Sequence, residues 1–370
     1  MNEKPVILFE SYPDFSGSSL EIYNELVKRG YDKKYDLIWT VYNTFNEKTN
    51  YKVVKFHGCN TPEKRNILTR TKLIIDSNRY IQKPRPDCFR LHVRHGFPFK
   101  YCKGYFDSIG YVDAIITSSE EIKKLDEKIY SKIKDKLIIT GMPVLDRLFS
   151  KTDLYANGFI KELTQSDKKF NKIVGWLPTF RKHRFGGPQV GKVFRYGLPV
   201  IKSVDEYKKL NAELEKQGIL LIIQMHHAQA ANYEKLPKVS NISFVTEELK
   251  RKYNLTTHNL MSAFDSFITD YSAAYHEYII LNRPIALTCD DLVEYSRTEG
   301  FCCNYLEWIK GDYILDCDEL IKWINDIGNG IDRSKNEREL SLHKIHAYID
   351  NHSTERVIKF LLDRKVLEII

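Results

Sequence analysis

Residues 203–223 read SVDEYKKLNAELEKQGILLII and predict a helix followed directly by a buried strand. The helix is expected over residues 204–217, and Gly218 is typical of the residue that ends a helix in the left-handed conformation. Residues 219–223 are apolar without interruption, which indicates a strand of a parallel sheet that is covered on both faces. This stretch therefore favours an α/β protein.

The same alternation of strand and helix signals continues on both sides of this stretch. A helix is expected over residues 272–281, between two strands that follow the stretch, and residues 118–121 (SSEE) read as a capping box for a helix through Tyr130. Apolar segments that read as strands lie at residues 6–9, 37–42, 53–56, 73–75, 89–93, 114–117, 137–140, 173–177, 266–269 and 285–288. Strands separated by segments of helix length predict βαβ units and a mostly parallel sheet.

The strands fall into two series, which predicts two Rossmann-like doubly wound domains. The polar segment 149–171 separates them, so we expect domains over residues 1–150 and 151–345, followed by a C-terminal helical segment over 346–370. Two such domains place a cleft between two sets of carboxyl-terminal strand ends, where ligands of these sheets bind.

Composition narrows the class of protein. The chain has 370 residues, 42% of them apolar and 29% charged, which argues against wholesale disorder. The net charge of +8 favours an anionic partner such as phosphate, an anionic lipid surface or nucleic acid. No apolar run approaches the roughly 18 residues of a spanning helix, so a cytoplasmic protein, soluble or peripheral, is expected. The seven cysteines lack paired spacing and are expected to be free thiols.

A histidine follows the strand expected at residues 89–93. His95 stands in the sequence HGFPFK (95–100), where the glycine indicates a sharp backbone turn. Imidazole at such a position can act as a general base near neutral pH. A histidine in an ordinary turn is the alternative interpretation.

Three further polar motifs follow expected strands of the second series. Residues 177–181 read LPTFR and deliver a hydroxyl and a guanidinium, which suits a diphosphate because arginine binds phosphate oxygens with two N–H groups. Residues 224–227 read QMHH, and at most one of these adjacent histidines faces a cleft. Residues 269–273 read TDYSA before a helix, where Ser272 either binds phosphate at the helix N-terminus or caps the helix.

Metal and dinucleotide sites receive little support from the sequence. Residues 316–318 read DCD, but they precede a helix, where acidic capping residues are common. Cys88, His92 and His95 lack a second pair of ligands at a convincing spacing for zinc. The glycine-rich phosphate-binding motifs of nucleotide-binding proteins are absent from the sequence. We expect no metal and no cofactor.

Taken in order, these motifs resemble the CDP-glycerol glycerophosphotransferase family, the teichoic-acid and capsule enzymes that transfer polyol phosphate. The family patterns are HGTPLK, APT[WF]R, [RK]xHP and TDYSS, which correspond here to HGFPFK, LPTFR, QMHH and TDYSA. Further resemblances are GMPVLD at 141–146, and DDLVEY at 290–295 followed by GF at 300–301. Gln224 and Ala273 depart from the pattern and remove one cation and one hydroxyl from the expected diphosphate site.

The resemblance implies a GT-B-like fold, with the C-terminal helix packing back on the first domain. It implies that His95 and His226 are catalytic. It further implies that four residues bind substrate, namely Thr179, Arg181, Asp270 and Ser272.

The implied reaction moves glycerol phosphate or ribitol phosphate from CDP-glycerol or CDP-ribitol to a hydroxyl and releases CMP. The expected acceptor is a lipid-linked or polymeric polyol or saccharide, reached from the inner face of the cell membrane through an anionic surface, and no nucleic acid is expected as a partner. Two alternatives stay open. One is a nucleotide-sugar glycosyltransferase on the same fold, and the other is a non-enzymatic polyanion-binding protein, which would cluster its cations on one face.

Overall fold

A computed structural model of the protein describes residues 3–41, 50–55, 61–78, 81–97, 99–100, 112–179, 181, 190–225 and 235–369. Its contacts divide the chain into two compact units. Unit 1 comprises Met1–Phe97, Cys102–Asp146 and Lys344–Ile370, and unit 2 comprises Pro98–Tyr101 and Arg147–His343. The chain therefore leaves unit 1 twice and returns to it twice.

Unit 1 is built on a parallel sheet, in which the described residues form seven strands. In chain order these are β1 (Val6–Phe9), β2 (Asp36–Val41), β3 (Lys52–Lys55), β4 (Thr71–Asp76), β5 (Phe89–His92), β6 (Ala114–Thr117) and β7 (Leu137–Ile139). They lie in the order β3-β2-β1-β4-β5-β6-β7, and every neighbouring pair is parallel. The chain order therefore reverses between β1 and β4.

Helices connect these strands. They are α1 (Gly17–Lys28), α2 (Pro62–Arg70) and α3 (Glu120–Ile129), with 3-10 turns at Tyr31–Lys33, Ser131–Lys136 and Pro143–Phe149. The predicted helix α3 begins after Ser119, whose hydroxyl accepts the backbone N–H of Ile122 at 3.1 Å, a single cap rather than the predicted capping box. Such a cap satisfies a backbone group that the helix itself leaves unbonded.

Unit 2 repeats this design with a second parallel sheet, whose described residues form six strands. In chain order these are β8 (Lys172–Trp176), β9 (Ile219–Ile223), β10 (Ile242–Phe244), β11 (Ser266–Thr269), β12 (Ile285–Thr288) and β13 (Asp312–Ile314). Their order is β10-β9-β8-β11-β12-β13, again with every neighbouring pair parallel. The chain order reverses between β8 and β11.

The helices of unit 2 are mostly short. They are α4 (Phe159–Thr164), α5 (Val204–Gln217), α6 (Glu247–Lys252), α7 (Thr257–Ala263), α8 (Ala274–Tyr278), α9 (Leu292–Thr298), α10 (Tyr305–Trp308), α11 (Cys317–Gly328) and α12 (Lys335–Ile345), with a 3-10 turn at Ile279–Leu281. The last residues of α12 pass into unit 1.

The helix and strand predicted from residues 203–223 form as α5 and β9. Ser203 and Glu206 cap the start of α5 reciprocally, and Gly218 ends it with a left-handed φ of 64°. All five residues of β9 are buried, as expected for a strand covered on both faces. α5 packs beside α11, and their apolar faces join β8 and β9 in one buried cluster. This cluster forms the core on one face of the unit 2 sheet.

A C-terminal helix, α13 (Ser353–Asp363), belongs to unit 1. It lies against α1 and buries Val357, Ile358 and Leu361. The backbone N–H groups of Ser353 and Thr354 donate to the carboxylate of Asp146 at 3.0 and 2.8 Å. Asp146 ends the GMPVLD motif, so this motif holds the start of the last helix.

Both sheets have the doubly wound strand order that the alternation of the sequence predicts. Among the helices that the structure describes, none combines the length and the apolar character needed to span a bilayer.

Candidate active site

The reversal of strand order in unit 2 lies between β8 and β11, which are adjacent and parallel. Ligands of open parallel sheets bind outside the carboxyl ends of the strands at such a reversal. β8 is followed by the LPTFR motif, and β11 runs directly into Asp270, Tyr271 and Ser272. The candidate donor-binding residues of the sequence therefore meet at the expected point of this sheet.

Asp270 ties the two strand ends together. Its buried carboxylate accepts the backbone N–H of Thr179 at 2.9 Å, and it also accepts a short hydrogen bond from the hydroxyl of that residue. Because both atoms come from one residue beyond β8, the loop after this strand is fixed relative to β11. Thr179 and Asp270 thus have each other as partners.

Arg181 is buried among groups of unit 2. Its guanidinium lies 2.9 Å from the carboxylate of Asp270 and donates to both carboxylate oxygens of Asp291, at 2.9 and 3.1 Å. Burial lowers the pKa of the guanidinium, but the two carboxylates outweigh burial and raise the pKa overall. Two negative charges therefore already face the one positive charge of Arg181.

Asp291 completes this network from the loop after β12. Its oxygens also accept the phenolic O–H of Tyr271 at 2.9 Å and the backbone N–H of Lys192 at 3.0 Å. Tyr295 stacks on Tyr271 with ring centroids 4.0 Å apart. Both Asp291 and Tyr295 belong to the DDLVEY segment, so this segment surrounds the arginine of the LPTFR motif.

Ser272 is half-buried and stands just before a short helix. Its hydroxyl oxygen accepts the backbone N–H of Ala274 at 3.2 Å. A hydroxyl that accepts in this way still has its own O–H to donate to a ligand oxygen. The helix α8 that follows has five residues rather than the ten expected from the sequence, and it continues as a single 3-10 turn.

Lys192 brings a second cation to the carboxyl ends of this sheet. Its ammonium donates to the backbone carbonyl of Asp290, directly after β12, at 2.6 Å. Burial, and then the neighbouring Asp291, raise the pKa of the Asp290 carboxyl. Unlike Arg181, Lys192 is exposed. Of the residues between them, 182–189 lie outside the described part of the chain.

His226, the second candidate catalytic histidine, also lies outside the described residues. The chain is described up to Met225, and the backbone N–H of Gln224 continues the pairing of β9 with β8 by donating to Trp176 at 3.0 Å. The side-chain amide of Gln224 donates to the hydroxyl of Thr257 at 3.1 Å.

His95 belongs to unit 1 and is exposed. It follows β5, whose His92 and Arg90 both contact the buried carboxylate of Asp76, at 2.7 and 2.6 Å. The intervening Arg94 is buried and pairs with Asp126 of α3. Asp76 and Asp126 were missed by sequence reasoning. The charged residues within the short segment FRLHVRH (89–95) were the available signal, since buried charges need partners.

The second half of the HGFPFK motif belongs to unit 2. The ring of Phe99 stacks on His276 of α8 with centroids 3.7 Å apart, and its carbonyl accepts the backbone N–H of Cys302 at 2.9 Å. Lys100 forms an isolated antiparallel bridge with Phe301. Within this motif, the candidate base His95 and Phe99 thus belong to different units.

Over the described part of the chain, no group of three or more His, Cys, Asp or Glu side chains is placed to hold a metal ion.

Curated relatives of the chain are proteins of teichoic acid synthesis. A teichoic acid glycerol-phosphate primase of Bacillus subtilis (strain 168) is 26% identical over 67% of this chain and 57% of its own length. The teichoic acid ribitol-phosphate polymerase TarL of Staphylococcus aureus (strain NCTC 8325 / PS 47) is 23% identical over 95% of this chain and 61% of its own. The chain therefore spans about three fifths of the length of these relatives.

Solved structures show the same fold. The wall teichoic acid polymerase TagF (H548A) superposes with a TM-score of 0.74 at 19% identity, over 98% of this chain and 89% of that chain. The structure of a putative UDP-N-acetylglucosamine 2-epimerase from Listeria monocytogenes superposes with a TM-score of 0.56 at 13% identity, over 99% of this chain and 98% of that chain. The two doubly wound units are thus GT-B-like, as the sequence predicts.

A family model also matches the chain, in agreement with the relatives and the order of the motifs. The model described as CDP-Glycerol:Poly(glycerophosphate) glycerophosphotransferase matches residues 1–363, which include every motif discussed above, the whole of unit 2 and unit 1 up to the end of α13. On this match, the chain belongs to the CDP-glycerol:poly(glycerophosphate) glycerophosphotransferase family.

Proposed function

We propose that the protein transfers glycerol phosphate or ribitol phosphate from CDP-glycerol or CDP-ribitol to a hydroxyl of a teichoic-acid-like or capsular acceptor, releasing CMP. The observation that carries the proposal is the family match over residues 1–363. The named activities of the relatives, a glycerol-phosphate primase and a ribitol-phosphate polymerase, support both donors.

In the proposed reaction, an acceptor hydroxyl attacks the phosphorus that carries the polyol. The bond from this phosphorus to the bridging oxygen of the diphosphate breaks, and CMP leaves with the electron pair. The hydroxyl proton passes to the imidazole of His95, which acts as general base. His95 is exposed in the backbone turn after β5, which supports this role, because a base must reach the proton that it takes.

The strand ends of unit 2 hold the donor diphosphate in this proposal. Ser272 donates its hydroxyl hydrogen to a phosphate oxygen, and His226 offsets the charge that develops on the leaving group. The family resemblance implies that Arg181 also binds the diphosphate, but its burial between Asp270 and Asp291 favours a supporting role. Thr179, Arg181 and Asp270 then fix the loops that carry Ser272.

A nucleotide-release assay tests the proposal. The purified protein is incubated with a poly(glycerol phosphate) acceptor and, in turn, CDP-glycerol, CDP-ribitol, UDP-N-acetylglucosamine and GDP-mannose. We expect acceptor-dependent CMP release from a CDP-polyol alone. The variant His95→Ala is expected to lose about 10²- to 10⁴-fold of this rate, the usual contribution of a general base, with an unchanged circular dichroism spectrum.

Two outcomes would contradict the proposal. Acceptor-dependent release of UDP or GDP from a sugar donor would favour the nucleotide-sugar glycosyltransferase instead. Near-normal CMP release by His95→Ala would remove this histidine from the mechanism.

We further propose that the protein docks on the inner, anionic face of the cell membrane to reach a lipid-linked acceptor. The net charge of +8 supports this location, because anionic headgroups attract cationic surfaces.

A further inference from the structure

We propose that a buried ion pair between Arg94 and Asp126 orients His95, so that Arg94 and Asp126 are positioning residues for the reaction. This inference deepens the proposed function and rests on it, since it concerns the support of the candidate base.

The backbone around His95 adopts an uncommon conformation. Arg94 has a φ of 54° and Gly96 a φ of 69°, so left-handed residues lie on both sides of the histidine. Glycine accepts this conformation without a steric penalty, whereas arginine does not. A non-glycine residue keeps a left-handed φ only when its surroundings hold it there, and such residues cluster at functional sites.

The ion pair between the side chain of Arg94 and Asp126 stabilises this backbone conformation. Arg94 is only 4% exposed, and Asp126 is fully buried. One guanidinium nitrogen lies 3.1 Å from one carboxylate oxygen of Asp126, and a second nitrogen makes a short bond to the other oxygen. Such a two-pronged bond fixes both the distance and the plane of the guanidinium.

Both partners of the pair stand on rigid elements. Asp126 is carried by α3, which is capped by Ser119 and buries Ile122 and Leu125. On the other side, the backbone N–H of Val93 donates to the carbonyl of Asp76 at 2.7 Å and continues the pairing of β5 with β4. The turn is therefore fixed at the strand before it and at the helix that receives Arg94.

This arrangement turns neighbouring side chains in opposite directions. Arg94 points inward to α3, and the next residue, His95, is exposed. If the ion pair were lost, Arg94 could relax toward a negative φ, which would rotate the following peptide and redirect the imidazole. Reaction rates are sensitive to such displacements, since about 1 Å can cost about a hundredfold.

A paired substitution tests the inference. The double variant Arg94→Met and Asp126→Leu replaces the ion pair by apolar side chains of similar size, a change that often leaves stability intact. The matched control is Arg356→Met with Asp350→Leu, which removes another two-pronged arginine–aspartate pair of unit 1, with distances of 3.0 and 2.8 Å. This control pair holds the segment before α13 rather than the His95 turn.

Two readouts are compared between the variants. The first is CMP release from CDP-glycerol, for which we expect kcat to fall about a hundredfold in the Arg94/Asp126 variant, with little change in the KM for CDP-glycerol. The second is the NMR signal of the His95 ring in histidine-labelled protein, assigned with His95→Gln. We expect this signal to shift in the Arg94/Asp126 variant and to stay in place in the control.

The ring signal separates failure of this inference from failure of the proposed function. An unshifted His95 signal in the Arg94/Asp126 variant overturns the positioning role, whatever happens to CMP release. A shifted signal with undiminished CMP release supports the positioning role but contradicts His95 as the base. If the double variant does not fold, Arg94→Lys serves in its place, because it keeps the charge and loses the planar fork. The same shift and a smaller loss of kcat are then expected, and an unshifted signal again overturns the inference.

Discussion

Arg181 has a side chain that commonly binds phosphate, but its surroundings are those of a residue that stabilises the fold. Its guanidinium is shared by two buried carboxylates and lies 5.0 Å from the ring of Tyr271. Removing one member of a buried ionic network leaves the others uncompensated, which costs more than losing an exposed contact. Ser272 is half-buried two residues after Asp270, and among the described residues its side chain takes part in no ion-pair network.

These two residues should respond differently to substitution. Arg181→Met is expected to lower the free energy of unfolding by about 3–5 kcal/mol, because Asp270 and Asp291 lose their counter-charge. Ser272→Ala is expected to leave stability within about 0.5 kcal/mol and to lower kcat/KM for CDP-glycerol about tenfold or more, the effect of one hydrogen bond to a charged group. Urea unfolding and CMP release measure the two effects.

The control for Arg181 is Arg195→Met, which changes an exposed arginine of the neighbouring segment and should be nearly neutral. An Arg181→Met protein as stable as this control would contradict the supporting role of Arg181.

At this scale, the sequence indicates residue types at strand ends but not their partners. Thr179, Asp270 and Ser272 are candidates because their motifs follow apolar strands. Asp291 lies 110 residues from Arg181 along the chain, and Asp126 lies 32 residues from Arg94. Which acid meets which arginine depends on strand order, and local spacing does not contain that information.

Strand β8 requires a glycine at position 175, because the end of helix α7 approaches the sheet there. A Cβ atom placed on Gly175 would lie 2.0 Å from the ring of Phe264, which is itself buried. A ring enclosed on all sides cannot move far enough to make room, so the strand needs a residue without a side chain here.

Gly175→Ala is therefore expected to destabilise the protein by about 1–3 kcal/mol, the usual cost of overpacking a core. Adding Phe264→Leu should recover part of this loss, so that the double variant is more stable than the sum of the single effects predicts. Urea unfolding of the three variants provides the measurement. Strictly additive losses of stability would show that the ring of Phe264 does not restrict the size of the residue at position 175.

The elements also show where periodicity is informative. Long apolar strands such as β9 and helices with clear ends such as α5 form where the sequence predicts them. The sequence does not predict β10 (ISF) and β13 (DYI), because each has only three residues and one of them is polar, whereas the equally short β7 (LII) is apolar throughout. The helix after β11 was predicted over ten residues, but the regular helix stops at Tyr278 and a 3-10 turn carries the chain to the next strand.

For the molecule as a whole, the charge balance gives a prediction about membranes. With 57 basic and 49 acidic residues, the protein should float with phosphatidylglycerol vesicles at low salt and dissociate as salt is raised. Dissociation is expected because the Debye length shrinks from about 10 Å at 0.1 M salt to about 3 Å at 1 M. Phosphatidylcholine vesicles are the control. Equal binding to both vesicle types, or binding indifferent to salt, would argue against electrostatic docking.

The threading of the chain through the two units has a consequence for biosynthesis. The main segment of unit 2, Arg147–His343, is continuous, whereas unit 1 includes α13, which lies beyond it in the sequence. On the ribosome, where chains fold as they emerge from the N-terminus, unit 2 has nearly all of its residues before the last helix of unit 1 appears. We therefore expect unit 2 to be completed before unit 1, and the apolar face of α1 that receives α13 stays uncovered until Ser353–Asp363 has emerged.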